Sequence, residues 1–323
     1  MNNNSIYKEV INEFGTNPAQ TFLENQERER KKIINRIQDF RKKESGRETR
    51  VIIYYAKLDF PFAHEVMINQ WDIKSVYSIL MEIEDNVDLE VVINTRGGLP
   101  QKTRQIIEFL RNKLGKKNKL RVVVPEIAKS AGTIICLGAD IISVGPPSEL
   151  GPIDPQVPRT GIGGHPEYLS AWTYVNSYKM LMDNCKNEDG SLKVEYYPLL
   201  ANFDLPFYEQ CKQAISQIET DAKELLQEGM YAQKANEIDG VVEYFLGGGR
   251  PHDVLINSRQ LVQKLGKKNV EYLTENNTIW KLYWELHCRV STLMSNTPIV
   301  KIVEYMKGNL NRQINLSQAQ PNK

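Results

Sequence analysis

The 323-residue chain can bury one large core, or one domain with extensions, and its 41% hydrophobic and 25% charged residues are those of a soluble globular protein. A formal net charge of +1 gives no electrostatic drive toward nucleic acid or an anionic membrane. Four scattered cysteines (Cys136, Cys185, Cys211, Cys288), with no Cys-x-x-Cys and no histidine at metal-ligand spacing, argue for reduced thiols in a cytoplasmic protein, not a disulfide or zinc scaffold.

The start, Met1-Asn2-Asn3-Asn4-Ser5, lacks the basic and apolar regions of a secretory signal, and no apolar run reaches the roughly 18 residues of a spanning helix. Residues 1 to about 18 are polar, contain Gly15 and Pro18, and read as a mobile start. From Gln20 to Lys43 the spacing of Phe22, Leu23, Ile33, Ile34, Ile37 and Phe40 along one side of a strongly charged segment predicts an amphipathic helix, with Gly46 as its C-cap. Val51–Tyr55 is the first strand. A helix over 73–83 leads to a second strand at 89–93, a helix over 101–114 to a third at 121–124, and a short apolar helix after Ser130 to a fourth at 140–144. Short apolar strands alternating with helices predict an α/β fold with a parallel sheet covered on both faces. Residues 145–166, rich in Gly and Pro, read as a long functional loop. Helices are expected near 168–182 and over 208–228, the latter with Cys211, Ile215, Ile218, Ala222, Leu225 and Leu226 inward. A Gly-rich turn covers 246–253, and Asn257-Ser258 caps a helix to Leu265. The segment from Ile279 to Met306 reads as an aromatic-rich helix, and the last dozen residues as disordered.

Chemistry is concentrated at two strand ends. Ser130 stands where a strand gives way to a helix, so the first helical N–H groups beside it have no intrahelical partner and can hold an anion. Gly97-Gly98 ends the neighbouring strand, where backbone can approach a ligand closely. A hydroxyl beside free backbone donors is the minimum equipment for acyl transfer.

Asn-Thr-Arg-Gly-Gly (94–98), Ala-Lys-Ser-Ala-Gly-Thr (128–133), Gly-Ala-Asp-Ile-Ile (138–142) and Glu-Leu-Gly-Pro-Ile-Asp-Pro-Gln (149–156) follow one another in order. Together they resemble the serine dehydrogenase proteinase (SDH-type) family, in the signal-peptide-peptidase-like branch of the Clp protease/crotonase superfamily; the likeness spans roughly residues 25–275. The resemblance implies a crotonase-type fold of repeated β-β-α units, assembled as a homo-oligomer, with an N-terminal segment and helical arm (1–48), a catalytic domain (49–275) and a C-terminal helical extension with a polar tail (276–323). It implies Ser130 as nucleophile and an oxyanion hole formed by Gly97 or Gly98 with Ala131. Clp-type peptidases carry a histidine after the next strand, but Gly151–Pro155 holds none. The base is then Lys179, as in a Ser–Lys dyad on a later helix, or His252, whose His-Asp pair resembles one in the SDH-type family. A lysine base must be buried, because desolvation lowers its pKa. Arg96 stands where many relatives have Pro, so it contacts substrate carbonyls or a carboxylate, or is merely tolerated.

The function expected is a serine peptidase acting on short peptides or unfolded protein, without metal or other cofactor. Two alternatives share the fold: a crotonase-type acyl-coenzyme A enzyme, in which Ser130 has no required role, and a catalytically silent oligomeric scaffold. No Gly-x-x-x-x-Gly-Lys-[Ser/Thr] motif is present, so energy-dependent unfolding would need a separate chain.

Overall fold

Runs of β-branched residues bounded by polar turns set the frame of this computed structural model, which describes residues 5–16, 19–61, 63–115, 117–161, 164–247 and 254–314. In chain order it comprises α1 (Ile6–Thr16), α2 (Ala19–Ser45), β1 (Thr49–Ala56), α3 (Ala63–Val66), α4 (Gln70–Glu82), β2 (Asp88–Asn94), α5 (Pro100–Leu114) and β3 (Leu120–Val124). Next come β4 (Ile127–Ala128), α6 (Ala131–Leu137), β5 (Ile141–Val144), β6 (Glu149–Leu150), β7 (Gln156–Thr160), β8 (Pro166–Ser170), α7 (Ala171–Asn184), α8 (Tyr197–Ala201) and α9 (Leu205–Glu228). The chain closes with α10 (Ala235–Leu246), β9 (Ile256–Asn257), α11 (Ser258–Leu265), β10 (Val270–Tyr272), α12 (Thr278–Ser295), β11 (Ile299–Tyr305) and β12 (Gly308–Gln313).

These elements form two compact units, residues 1–150 with 255–323, and residues 151–254. In the first, seven strands run in the order β10-β5-β3-β2-β1-β11-β12. The pairs among β10, β5, β3, β2 and β1 are parallel, and β11 and β12 are antiparallel. Every residue of β2 is buried, as expected of a parallel strand covered on both faces. Ile33, Ile34 and Ile37 of α2 and Tyr283, Leu286, Val290 and Leu293 of α12 share one core cluster with β1. The expected α/β architecture, a largely parallel sheet covered by helices, is therefore present. In the second unit, Val175 of α7 packs with Phe207, Cys211 and Ile215 of α9. All six inward residues expected on α9 are buried.

Three expectations are corrected. Residues 6–16 are helical: Val10 is buried, and Glu13 receives Arg289 Nη1 of α12 at 2.8 Å. The long loop is partly a hairpin, in which β7 pairs antiparallel with β8 from Gln156↔Ser170 to Thr160↔Pro166; Pro158 is tolerated because β7 has only one neighbour. The C-terminal helix ends at Ser295 instead of running to Met306. Pro298 cannot continue it, and the β-branched run Ile299-Val300-Lys301-Ile302-Val303 enters the sheet as β11, beside β1. Of the last dozen residues, Arg312 and Gln313 belong to β12, and 315–323 lie outside the described residues.

Candidate active site

Asn94 and Thr95, at the end of β2, hold the segment that carries the serine. Asn94 Oδ1 accepts Ile127 N–H at 3.1 Å. Thr95 N–H donates to Ile127 O at 2.9 Å and Thr95 O accepts Lys129 N–H at 3.1 Å, so residues 127–129 run beside Thr95 as a short ladder. On the opposite side, Ile68 N–H donates to Gly97 O and Leu99 N–H to Ile68 O, both at 2.9 Å. In such a parallel bridge the N–H of the intervening residue, Gly98, points away from Ile68. Gly97 N–H is turned inward to Thr95 Oγ1 at 3.1 Å. Among the described residues neither Gly98 N–H nor Ala131 N–H has a hydrogen-bond partner. Of the two glycines expected at the oxyanion hole, Gly98 is thus the one with a free donor.

Ser130 is the N-cap of α6 but makes no side-chain cap hydrogen bond, leaving its hydroxyl uncommitted to the helix end. Its φ of 53° and ψ of −117° are a conformation that L-residues rarely adopt and that costs about 1–3 kcal/mol. A sharp, strained strand-to-helix turn is how a nucleophilic serine is lifted clear of its own backbone. The turn is locked by Gly132 N–H on Lys129 O at 2.8 Å, Ile134 N–H on Ser130 O at 3.1 Å, and Thr133 Oγ1 on Ala128 O at 2.8 Å. Gly97 is pressed against it. A Cβ there would lie 2.8 Å from Ala131 N, 2.8 Å from Lys129 O and 2.9 Å from Ser130 Cβ. Glycine is required because a side chain would occupy the space between the serine and the glycine pair.

The two expected bases, and two charged side chains of the neighbouring loops, are placed as follows. Lys129, beside the serine, pairs with Glu149 Oε2 at 3.4 Å. Lys179 lies in the second unit, on α7, two turns beyond buried Ala171 and one beyond buried Val175, where the stripe has drifted off the core and the side chain is exposed. His252 lies outside the described residues. Asp154 is buried and accepts Gln156 Nε2 at 2.8 Å, a turn-shaping contact.

Sequence reasoning missed the buttress behind Ile68. Lys301 of β11, fully buried, places Nζ 2.7 Å from Asp72 Oδ2 and donates also to Met67 O, so it clamps the residue before Ile68. Tyr54 Oη donates to the other Asp72 oxygen at 3.0 Å. A lysine interrupting an apolar run was the available signal, but its partner is 229 residues away.

A second cluster joins Glu126, His287 and Tyr55. His287 Nε2 lies 3.4 Å from Glu126 Oε2, and Nδ1 3.2 Å from Tyr55 Oη. Burial pushes the His287 pKa down to about 4. Burial, and then Glu149, push Glu126 up.

The family model of the ClpP-like SDH-type serine proteinases matches residues 20–164, a stretch that holds Gly97, Gly98, Ser130 and Ala131 and ends before Lys179 and His252. Among curated proteins, the chain is 26% identical over 215 residues to the uncharacterised protein MJ1495 of Methanocaldococcus jannaschii, covering 65% of this chain and 64% of that one. It is 39% identical over 69 residues to the uncharacterised protein MJ0137 of the same organism, covering 21% and 23%. The chain thus spans less than two thirds of the length of either relative. Among solved structures, a mutant of the 1510-N membrane-bound stomatin-specific protease is similar over 71% of this chain and 80% of that one, at 15% identity and a TM-score of 0.39. ClpP1 from Listeria monocytogenes is similar over 71% and 92%, at 14% identity and a TM-score of 0.36. No helix among the described residues is long and apolar enough to cross a membrane. Residues 20–164, just under half of the chain, are thus similar to the ClpP-like SDH-type serine proteinases.

Proposed function

We propose that the protein is a serine peptidase in which Ser130 Oγ attacks a peptide carbonyl and forms an acyl-enzyme that water then hydrolyses. The observation that carries this reading is the strained Ser130 turn packed against Gly97, with the Gly98 and Ala131 N–H groups left unpartnered beside it. Two such donors lower the barrier to the tetrahedral intermediate, each by about 2.7–4 kcal/mol when aimed at the developing oxyanion. A general base takes the Ser130 proton and returns it to the leaving amine.

Lys179 and His252 are the candidates for that base. Lys129 is engaged with Glu149, and His287 is committed to Tyr55 and Glu126. For Lys179 the exposed position on α7 requires that bound substrate or a second copy of the chain cover it, since only a desolvated lysine is neutral near pH 7. A homo-oligomer acting on short or unfolded peptides fits this requirement. Four buried free thiols fit a cytoplasmic setting.

The test is labelling by a fluorophosphonate probe. Wild-type protein labels at one site, Ser130→Ala does not, and both retain the same oligomeric state; undiminished labelling of Ser130→Ala sinks the proposal. Lys179→Ala and His252→Ala then separate the bases. The variant lacking the true base loses roughly 10²–10⁴-fold in turnover, and the other stays near wild type.

A further inference from the structure

We propose that Arg96 is a substrate-specificity residue that favours peptides bearing a carboxylate within about two residues of the scissile bond; this rests on the peptidase reading above. Arg96 is exposed while its neighbours Thr95 and Gly97 are buried. The backbone on both sides is fixed, by Ile127 and Lys129 against Thr95 and by Ile68 against Gly97 and Leu99. The base of the side chain therefore has a defined position relative to Gly98 N–H. Two residues of chain span at most about 7 Å, and the long arginine side chain covers a similar distance. The guanidinium consequently reaches groups one or two residues from a carbonyl seated at Gly98 and Ala131.

No fold-supporting contact accounts for this cation. Among the described residues Arg96 takes part in no ion pair or side-chain hydrogen bond, whereas Lys129 on the adjacent segment is paired with Glu149. The first turn of α5, which follows the glycine pair directly, contains no acid to neutralise it. A guanidinium presents a planar fork of donors matched to a carboxylate, and unlike lysine it stays charged at any working pH. Held beside the reacting carbonyl, it attracts an acidic side chain or a free C-terminus and repels a basic residue.

The experiment uses the intact chain and matched peptides that differ only in Glu, Gln or Lys at each of two positions on either side of the scissile bond. A second pair ends in a C-terminal acid or amide close to that bond. Wild-type kcat/KM is expected to favour the carboxylate over its neutral match by about three- to tenfold, with the preference shrinking in high salt. Arg96→Gln abolishes the preference, Arg96→Glu reverses it, and Arg96→Lys restores part of it, while fluorophosphonate labelling of Ser130 persists in all three. Preference for internal Glu identifies acidic side chains as the ligand; preference only for the terminal acid identifies free C-termini. Cleavage without charge preference, or a preference unchanged in Arg96→Gln, overturns the assignment and leaves the peptidase reading intact. Absence of both Ser130 labelling and cleavage overturns the peptidase reading itself.

Discussion

Gly97→Ala is the sharpest perturbation of the site, because the structure says where the added carbon goes. It would sit 2.8 Å from Ala131 N and Lys129 O and 2.9 Å from Ser130 Cβ, and ordinary contact begins near 3.4 Å, so about 0.6 Å must be yielded (3.4 − 2.8). Backbone, not a flexible side chain, does the yielding. A misplacement of 1 Å costs roughly 10²-fold in rate, so this shift alone predicts a roughly 10- to 100-fold slower labelling of Ser130 by fluorophosphonate. The φ of +110° adds about 1–3 kcal/mol of strain for alanine, and the overpacking about 1–3 kcal/mol more. Unfolding should thus come earlier by about 2–4 °C for each kcal/mol lost. Gly46→Ala is the control: its φ of +72° carries the strain, but nothing lies within 4 Å, so stability falls while labelling does not. Stopped-time labelling well below the melting temperature, beside thermal unfolding, reads both quantities. A Gly97→Ala protein that labels at the wild-type rate would show that the glycine does not define the space beside Ser130.

Ser130→Gly should abolish labelling yet raise stability by about 1 kcal/mol, since glycine adopts the φ of 53° without penalty; a denaturation midpoint below wild type would remove the argument for strain. Asp72→Ala leaves Lys301 as an unpaired buried cation and should cost about 3–5 kcal/mol, whereas the pair Asp72→Leu with Lys301→Met should recover only part of it, because Asp72 also accepts Tyr54 Oη and the N–H of Asn69, the cap of α4; equal losses in both proteins would contradict a desolvation cost. His287, neutral when folded with a pKa of about 4 against about 6.5 unfolded, supplies stability that is complete above the unfolded value and fades as pH falls toward 4. Facing it are Glu126, Tyr55 and Trp284, and between pH 7 and 5 its share of the loss is about 2 kcal/mol. His287→Phe should flatten that part of the pH–stability curve, and an unchanged slope would place the proton elsewhere.

The strand and helix alternation around Ser130 was legible because each segment is governed by its own residues: Val122-Val123-Val124 can only be a buried strand, and Ala131–Leu137 is too apolar to be anything but a covered helix. The inward face of α9 followed from helical period for the same reason. β11 was not legible, because Lys301 and Glu304 break its apolar run and their partners, Asp72 and Arg30, lie far away in sequence. Helix α1 was obscured by polar composition, since its order depends on α12 through Arg289 and Glu13. The same division runs through the site. Ser130, Gly97 and Gly98 are read from local backbone logic, whereas a general base is chosen by tertiary placement, which no spacing in the chain encodes.

That division also explains why the end of the chain matters to a site near its middle. A serine held in a strained turn relaxes unless its surroundings over-determine it. Here the turn is braced by Thr95, which is braced by β2; the glycine pair is braced by Ile68, and the residue before Ile68 is held by Lys301 of β11. Burying a lysine beside Asp72 costs desolvation that two apolar residues would avoid, and although Asp72 also caps α4 and accepts Tyr54 Oη, neither bond needs Lys301. What an apolar pair cannot do is donate a hydrogen bond to Met67 O and thereby set the position of the adjoining Ile68. On this argument, the Asp72→Leu, Lys301→Met protein should be more stable than Asp72→Ala, short of wild type by the Tyr54 and Asn69 bonds to Asp72, and should label Ser130 more slowly than wild type. Equal labelling rates would make the ion pair a dispensable feature of the core.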